Sequence, residues 1–255
     1  MSASEQQIAV ERFGSGPAVL LLHGGAGPEL TWERQMGLAE RWSLIIPTRR
    51  GFPRSAPAPR QDFEADAEDV RRLLTKRTHL VGFSYGGLGV TLAAEADPQL
   101  VRSLTLIETP LYLAAPDNPA VREIADAGDA FLSGEADELT EREFLANAGI
   151  DPEASSGRTA ELISEAIEAA RGGRSPSEAT PDLSALAGAG IPAMVVSGGH
   201  HPGIETLCDA LADRLGARRE IVPGAGHAVP RAPEFNDVLE DFLRGSAGTA
   251  RARTA

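Results

Sequence analysis

Over the first 110 residues, short apolar runs rich in Val, Ile and Leu alternate with longer stretches of helical periodicity, the pattern of parallel strands joined by crossover helices. Strands are predicted at 7–12, 18–22, 43–47, 79–83 and 101–107, and their unbroken apolar character predicts burial on both faces. Helices are expected over 31–41, over 62–76 with apolar Phe63, Val70, Leu73 and Leu74, and over 85–96, where Asp97-Pro98 stops the last. From Thr109 to Asp182 the alternation gives way to helical patterns alone. One carries Val121, Ile124, Ala125, Gly128, Phe131 and Leu132 on a single face. A second is expected to open at a capping box of Thr140 and Glu143, with Leu139 and Phe144 as its hydrophobic staple. A third has the stripe Leu162, Ile163, Ala166, Ile167 and Ala170 and ends at Gly172-Gly173. After Pro181 the alternation resumes: strand 193–196, helix 204–215, strand 219–222, helix 234–243.

The pattern predicts an α/β fold, a mostly parallel central sheet flanked by helices, with a core from 1–110 and 183–244, a helical insertion at 111–182 and a disordered tail at 245–255. A length of 255 residues suits one such domain with an insertion. The net charge of −13 argues against nucleic-acid and anionic-membrane partners, which need clustered basic groups. Cys208 is the single cysteine, so neither an internal disulfide nor a cysteine-based zinc cage is available, and a reducing, cytoplasmic setting is expected. The first 13 residues lack the basic start and apolar run of a secretory signal, and no stretch approaches the roughly 20 apolar residues of a membrane helix. Lys76 is the only lysine, which leaves Schiff-base chemistry without a good candidate.

Gly82-Phe83-Ser84-Tyr85-Gly86 is a Gly-x-Ser-x-Gly sequence between an apolar strand and an Ala- and Gly-rich helix. In that setting a strand delivers a serine onto a sharp bend, and the flanking glycines remove side chains that would collide there. The plainer alternative is a strand-end serine capping a helix. A nucleophilic serine needs a base. His227, in the glycine-flanked loop Gly224-Ala225-Gly226-His227 between the last strand and the last helix, would lie at the same sheet edge as Ser84, with His200 and His201 as the other histidines downstream.

With these segments in this order, the sequence resembles the α/β-hydrolase family from about residue 7 to 243. Leu21-Leu22-His23-Gly24-Gly25 looks like its oxyanion-loop motif, and Arg49-Arg50-Gly51-Phe52-Pro53-Arg54-Ser55 is similar to its Arg-Gly-x-Gly-x-Ser loop, with Pro53 in place of a glycine. The resemblance implies an oxyanion hole formed by the backbone N–H groups of Gly25 and Tyr85, a structural role for His23, and a helical cap inserted after the sixth strand of the family pattern. It also exposes a departure. The common place for the acid, about three residues beyond Gly198, holds His201, and Val195 to Ile204 contains no carboxylate. Glu108, at the end of the strand after the nucleophile, is the favoured substitute because some family members place their acid there; Glu205 and no acid at all remain open.

His200 and His201 are adjacent, so in an extended segment they point apart and cannot readily chelate one ion; no metal and no cofactor is expected. Neither a third glycine nor a Walker lysine supports Gly24-Gly25-Ala26-Gly27 as a nucleotide loop. His201 is a candidate for the pocket mouth, and Trp32 for a substrate wall, although its i, i+4 spacing with Met36 more often means core packing.

The expected function is a serine hydrolase that cleaves an ester, thioester or related acyl bond of a small substrate through an acyl-enzyme: Ser84 attacks, His227 moves the proton and Glu108 orients His227. The same fold could instead serve carbon–carbon bond hydrolysis, lactonisation or a cyclase or lyase step, or a non-catalytic ligand-binding protein. Charge adds one constraint. Residues 111–182 carry 5 basic and 16 acidic groups, so −11 of the −13 resides in the insertion and a neutral or cationic acyl compound is favoured over an anionic one.

Overall fold

Seven strands form one sheet in the order β1-β3-β2-β4-β5-β6-β7 in a computed structural model that describes residues 8–148 and 156–249. They are β1 Val10–Phe13, β2 Ala18–Leu22, β3 Ser43–Pro47, β4 Thr78–Phe83, β5 Val101–Ile107, β6 Ala193–Ser197 and β7 Arg218–Ile221. β1 pairs antiparallel with β3, and every other pairing is parallel. Residue 7, the expected start of the first strand, lies outside the described residues.

The period-2 geometry of a strand explains the apolar runs. Leu20 and Leu22 of β2 face one hydrophobic cluster with Leu80, Leu104 and Val195, while Val19 and Leu21 face the other with Val81, Ile107 and Val196. The first cluster is closed by α2 Phe63–Leu73, α3 Tyr85–Ala96 and α8 Pro202–Leu215. The second is closed by Trp32, Trp42 and α9 Phe235–Thr249. Asp62 caps α2 by accepting the Glu64 N–H at 2.9 Å, and α2 ends at Leu73, short of Lys76. Between β5 and β6 run α4 Pro119–Ser133, α5 Glu138–Asn147 and α6 Gly157–Ala170, followed by the short α7 Leu183–Gly188, which the sequence pattern did not predict.

Four expectations are corrected. The helix expected at 31–41 is a short α1, Pro28–Trp32, followed by a 3-10 segment, Glu33–Glu40. Trp32, Gln35 and Leu38 are all buried, and at three residues per turn a spacing of three keeps them in line on one side. Gln35 fixes that winding by donating from Nε2 to the Pro230 carbonyl at 2.9 Å and to Asn236 Oδ1 at 2.7 Å. The capping box of Thr140 and Glu143 does not form: α5 begins at Glu138, and Asp137 is its cap, accepting the Thr140 N–H at 2.8 Å. Its staple is also absent, since Leu139 is 61% exposed and Phe144 stacks on Phe131 with ring centroids 4.4 Å apart. Finally, the expected tail is helical as far as Thr249, because Leu243 and Ser246 are buried on α9 and the Ser246 hydroxyl donates to the Phe242 carbonyl at 2.8 Å. Residues 250–255 lie outside the described residues.

Candidate active site

The sheet register brings the candidate residues to one edge. Phe83 pairs with Ile107, and Ile107 with Val196, so the residues that follow β4, β5 and β6 emerge side by side. Ser84 leaves β4 with its N–H donating to the Ile107 carbonyl at 2.8 Å, and Glu108 leaves β5 with its N–H donating to the Val196 carbonyl at 2.9 Å. Both adopt positive φ, 50° at Ser84 and 44° at Glu108, a region that L side chains avoid and that concentrates at functional positions. The glycines around Ser84 permit the bend. A Cβ on Gly82 would sit 2.6 Å from the Gly87 Cα, and one on Gly86 would sit 2.7 Å from the Leu22 carbonyl oxygen.

His227 reaches the same point from the loop after β7, where Gly224 and Gly226 have φ of 79° and 60°. Its Nδ1 is 2.5 Å from Glu108 Oε2 and its Nε2 is 3.1 Å from Ser84 Oγ. A carboxylate only accepts, so Nδ1 carries the hydrogen and Nε2 presents a lone pair to the serine. The Glu108 side chain is fully buried, and its other oxygen accepts the Gly198 N–H at 2.7 Å. Burial alone would push its pKa up, but the adjacent His200 and His227 rings outweigh it and hold the carboxyl at about 2. It is therefore ionised at neutral pH.

Glu205 is committed elsewhere. It accepts from the Ser197 hydroxyl at 2.6 Å, the Gly199 N–H at 3.0 Å and Arg219 Nη2 at 2.6 Å. His23 is fixed too. Its Nε2 accepts the Arg49 N–H at 3.0 Å, so Nδ1 donates to the Gly24 carbonyl at 2.9 Å; burial and the Arg49 charge lower its pKa to about 3. A neutral ring with both nitrogens engaged braces the loop that carries Gly25.

Ser84 opens into a cavity of about 230 Å³ beneath the helices between β5 and β6. Gly25, Tyr85 and His227 line its floor, while Ile124 and Phe131 of α4, Phe144 of α5 and Ile163 and Ile167 of α6 line its walls. Tyr85 is the first residue of α3, where a backbone N–H has no partner within the helix. Its hydroxyl donates to the Arg174 carbonyl at 2.8 Å, beyond α6.

Two site candidates are misplaced by the sequence reading. Trp32 is not a cavity wall: it is 1% exposed, within the hydrophobic cluster on the far side of the sheet. The spacing with Met36 signalled packing. His201 does not line the cavity either; its Nδ1 accepts the Gly203 N–H at 3.1 Å and caps α8. Its neighbour His200 faces the site instead, with Nδ1 3.4 Å from Glu108 Oε1 and Nε2 3.0 Å from the Asn147 carbonyl. Cavity residues Tyr112 and Arg231 also escaped notice, the latter because a lone arginine in a short 3-10 turn carries no sequence signal. Glu108, His200 and His227 bring ligand-type atoms within 4.8 Å of one another. The shortest of those separations is the His227–Glu108 hydrogen bond, and we assign no metal ligand among them.

Residues 19–237 match the model of the alpha/beta hydrolase family. The chain belongs to that family. A pimeloyl-[acyl-carrier protein] methyl ester esterase from Aeromonas hydrophila is 33% identical over 144 residues, 54% of this chain and 56% of that enzyme, so the chain spans little more than half the length of this relative. The serine hydrolase BPHL of Mus musculus is 26% identical over 92% of this chain and 82% of its own. Among solved structures, a hydrolase from Pseudomonas aeruginosa superposes with a TM-score of 0.72 at 23% identity, covering 92% of this chain and 94% of that one. In this alpha/beta hydrolase the carboxylate hydrogen-bonded to His227 follows β5 rather than β6. No described helix is long and apolar enough to cross a membrane.

Proposed function

We propose that this alpha/beta hydrolase cleaves an ester or related acyl bond of a small neutral or apolar substrate through an acyl-enzyme. The observation that carries this reading is the hydrogen-bonded line from Ser84 Oγ through His227 to Glu108, opening onto an apolar cavity. The ester esterase relationship supports the bond type. Ser84 Oγ attacks the carbonyl carbon as its proton passes to His227 Nε2; buried, ionised Glu108 stabilises the imidazolium and keeps the ring in the tautomer that can accept. The N–H groups of Gly25 and Tyr85 hold the negative oxygen of the tetrahedral intermediate. His227 then protonates the leaving alcohol, and water, deprotonated by the same nitrogen, releases the acid and restores Ser84.

Residues 111–182 act as a cap. Their apolar walls exclude water and hold the acyl chain, and their excess of 16 acidic over 5 basic groups disfavours an anionic substrate. A non-catalytic binding protein would have no need of a carboxylate, and Glu108 fills the gap that made that alternative attractive. Treatment with a fluorophosphonate tests the reading. A single adduct by intact mass, absent from Ser84→Ala, is expected; a protein that stays unlabelled, or a variant labelled equally well, overturns it.

A further inference from the structure

His200 has no part in that sequence of steps, yet its ring is held at both ends. Nε2 lies 3.0 Å from the carbonyl oxygen of Asn147, the last residue of α5. A carbonyl has no hydrogen to give, so Nε2 must carry one. Nδ1 is then the atom that decides the charge of the ring. It is buried, has no formed hydrogen bond, and sits at ion-pair distance, 3.4 Å, from Glu108 Oε1. In the neutral ring it would turn a lone pair toward a carboxylate oxygen. A proton on Nδ1 converts that repulsion into a charge-assisted contact.

The surroundings favour the cation. Glu108 faces the ring from the turn after β5, Glu205 adds its charge from α8, and the negative C-terminal end of α5 supplies the Asn147 carbonyl. The rings of His201 and His227 lie 6.4 and 6.3 Å away, centroid to centroid. Proximity to the Glu108 carboxylate, against partial burial, raises the pKa of His200 above its ordinary 6.5.

We propose that His200 is a positioning residue of the hydrolytic site: as an imidazolium it joins the Glu108 carboxylate to the end of cap helix α5, so that loss of one proton loosens both the acid and the helix above it. This rests on the hydrolase reading of Ser84, His227 and Glu108. The gain from the ion pair is complete at pH values below 6.5 and disappears as pH rises through the higher value of the folded protein. The signature is therefore an alkaline decline in activity that belongs to His200.

Two measurements test it. The first is the pH profile of kcat/KM for p-nitrophenyl acetate in the wild type and in His200→Gln, whose side-chain amide can still reach the Asn147 carbonyl but does not titrate. The wild type is expected to decline several-fold on the alkaline side above pH 6.5, and the variant to be slower at neutral pH with that decline gone. Profiles of the same shape would overturn the role. The second needs no variant: ring ¹⁵N shifts of His200, assigned by triple resonance in the wild-type protein, should show both nitrogens protonated at pH 6.5. A neutral ring at that pH would equally overturn it. Fluorophosphonate labelling is run alongside. An unlabelled protein fails the hydrolase reading, whereas a labelled protein with coincident profiles fails His200 alone.

Discussion

Glu108 Oε1 accepts the N–H of Gly198 at 2.7 Å, so a carboxylate from the end of β5 fills the turn after β6, where the sequence offers no acid of its own. A Cβ on Gly198 would lie 2.8 Å from the Gly226 nitrogen, which shows how tightly this turn packs against the His227 loop. Removing the charge while keeping the shape should expose its role. Glu108→Gln is expected to lower kcat/KM on the order of 10³–10⁴-fold, since an amide can donate to Nδ1 and favour the wrong tautomer. Ser84→Ala should lose at least about 10⁴-fold. Glu205→Gln should retain activity close to wild type; steady-state assays that rank Glu205 above Glu108 would reverse the assignment.

Acid stability should carry the mark of the same carboxylate. Glu108 falls from its ordinary 4.5 to about 2, so it contributes stability that is complete above pH 4.5 and is lost as pH drops toward 2. Buried His23 and His79, each lowered to about 3, weaken the fold from pH 6.5 downward in any variant that retains them. They cancel when wild type and Glu108→Gln are compared. Urea unfolding at pH 7, 4.5 and 3 should therefore show the wild type losing ground against the variant only at the lowest pH. A difference that does not vary across the three would contradict the assigned shift.

Acyl-chain preference should respond to Gly128 on α4. A Cβ there would meet Tyr112 Oη at 3.0 Å and Phe144 Cε2 at 3.6 Å, among side chains that line the cavity. Gly128→Leu is expected to reduce kcat/KM for p-nitrophenyl octanoate roughly tenfold, the size of a hydrophobic-pocket discrimination of one or two methylenes, while sparing the acetate. Equal losses on both esters would mean that the acyl chain lies elsewhere.

The charge of residues 111–182 should be readable in salt dependence. Arg171 pairs with Glu141 at 2.6 Å and Arg174 with Glu178 at 2.9 Å, but the segment still has 16 acidic against 5 basic groups. An ester bearing a carboxylate should gain kcat/KM as salt shortens the Debye length from about 30 Å at 0.01 M to about 10 Å at 0.1 M. A neutral ester should show little change. If the anionic ester is faster at low salt, the field of that segment is not what it meets.

The inner sheet was legible because β2 to β6 are separate apolar runs buried on both faces, whereas the edge strands β1, Val-Glu-Arg-Phe, and β7, Arg-Arg-Glu-Ile, are polar and half-exposed. Ser84 and His227 were legible because a strained turn requires glycines that appear in the sequence, and Glu108 because it ends a strand at a place where the family resemblance allows an acid. His200 was not, since its environment depends on a carbonyl 53 residues away that no local pattern announces. Trp32 and the start of α5 went astray for a related reason. Period 3 and period 3.6 look alike over a few residues, and Asp137, three residues before Thr140, is an equally good capping residue type.

Positive φ at Ser84 has a cost that falls on the fold rather than on the reaction. A side chain at φ 50° and ψ −129° opposes the backbone's own preference by of order 1–3 kcal/mol. Replacing the serine by glycine would remove that opposition along with the nucleophile. The inactive protein should then melt at a higher temperature than the active one, which makes the bend after β4 a place where stability has been traded for reactivity.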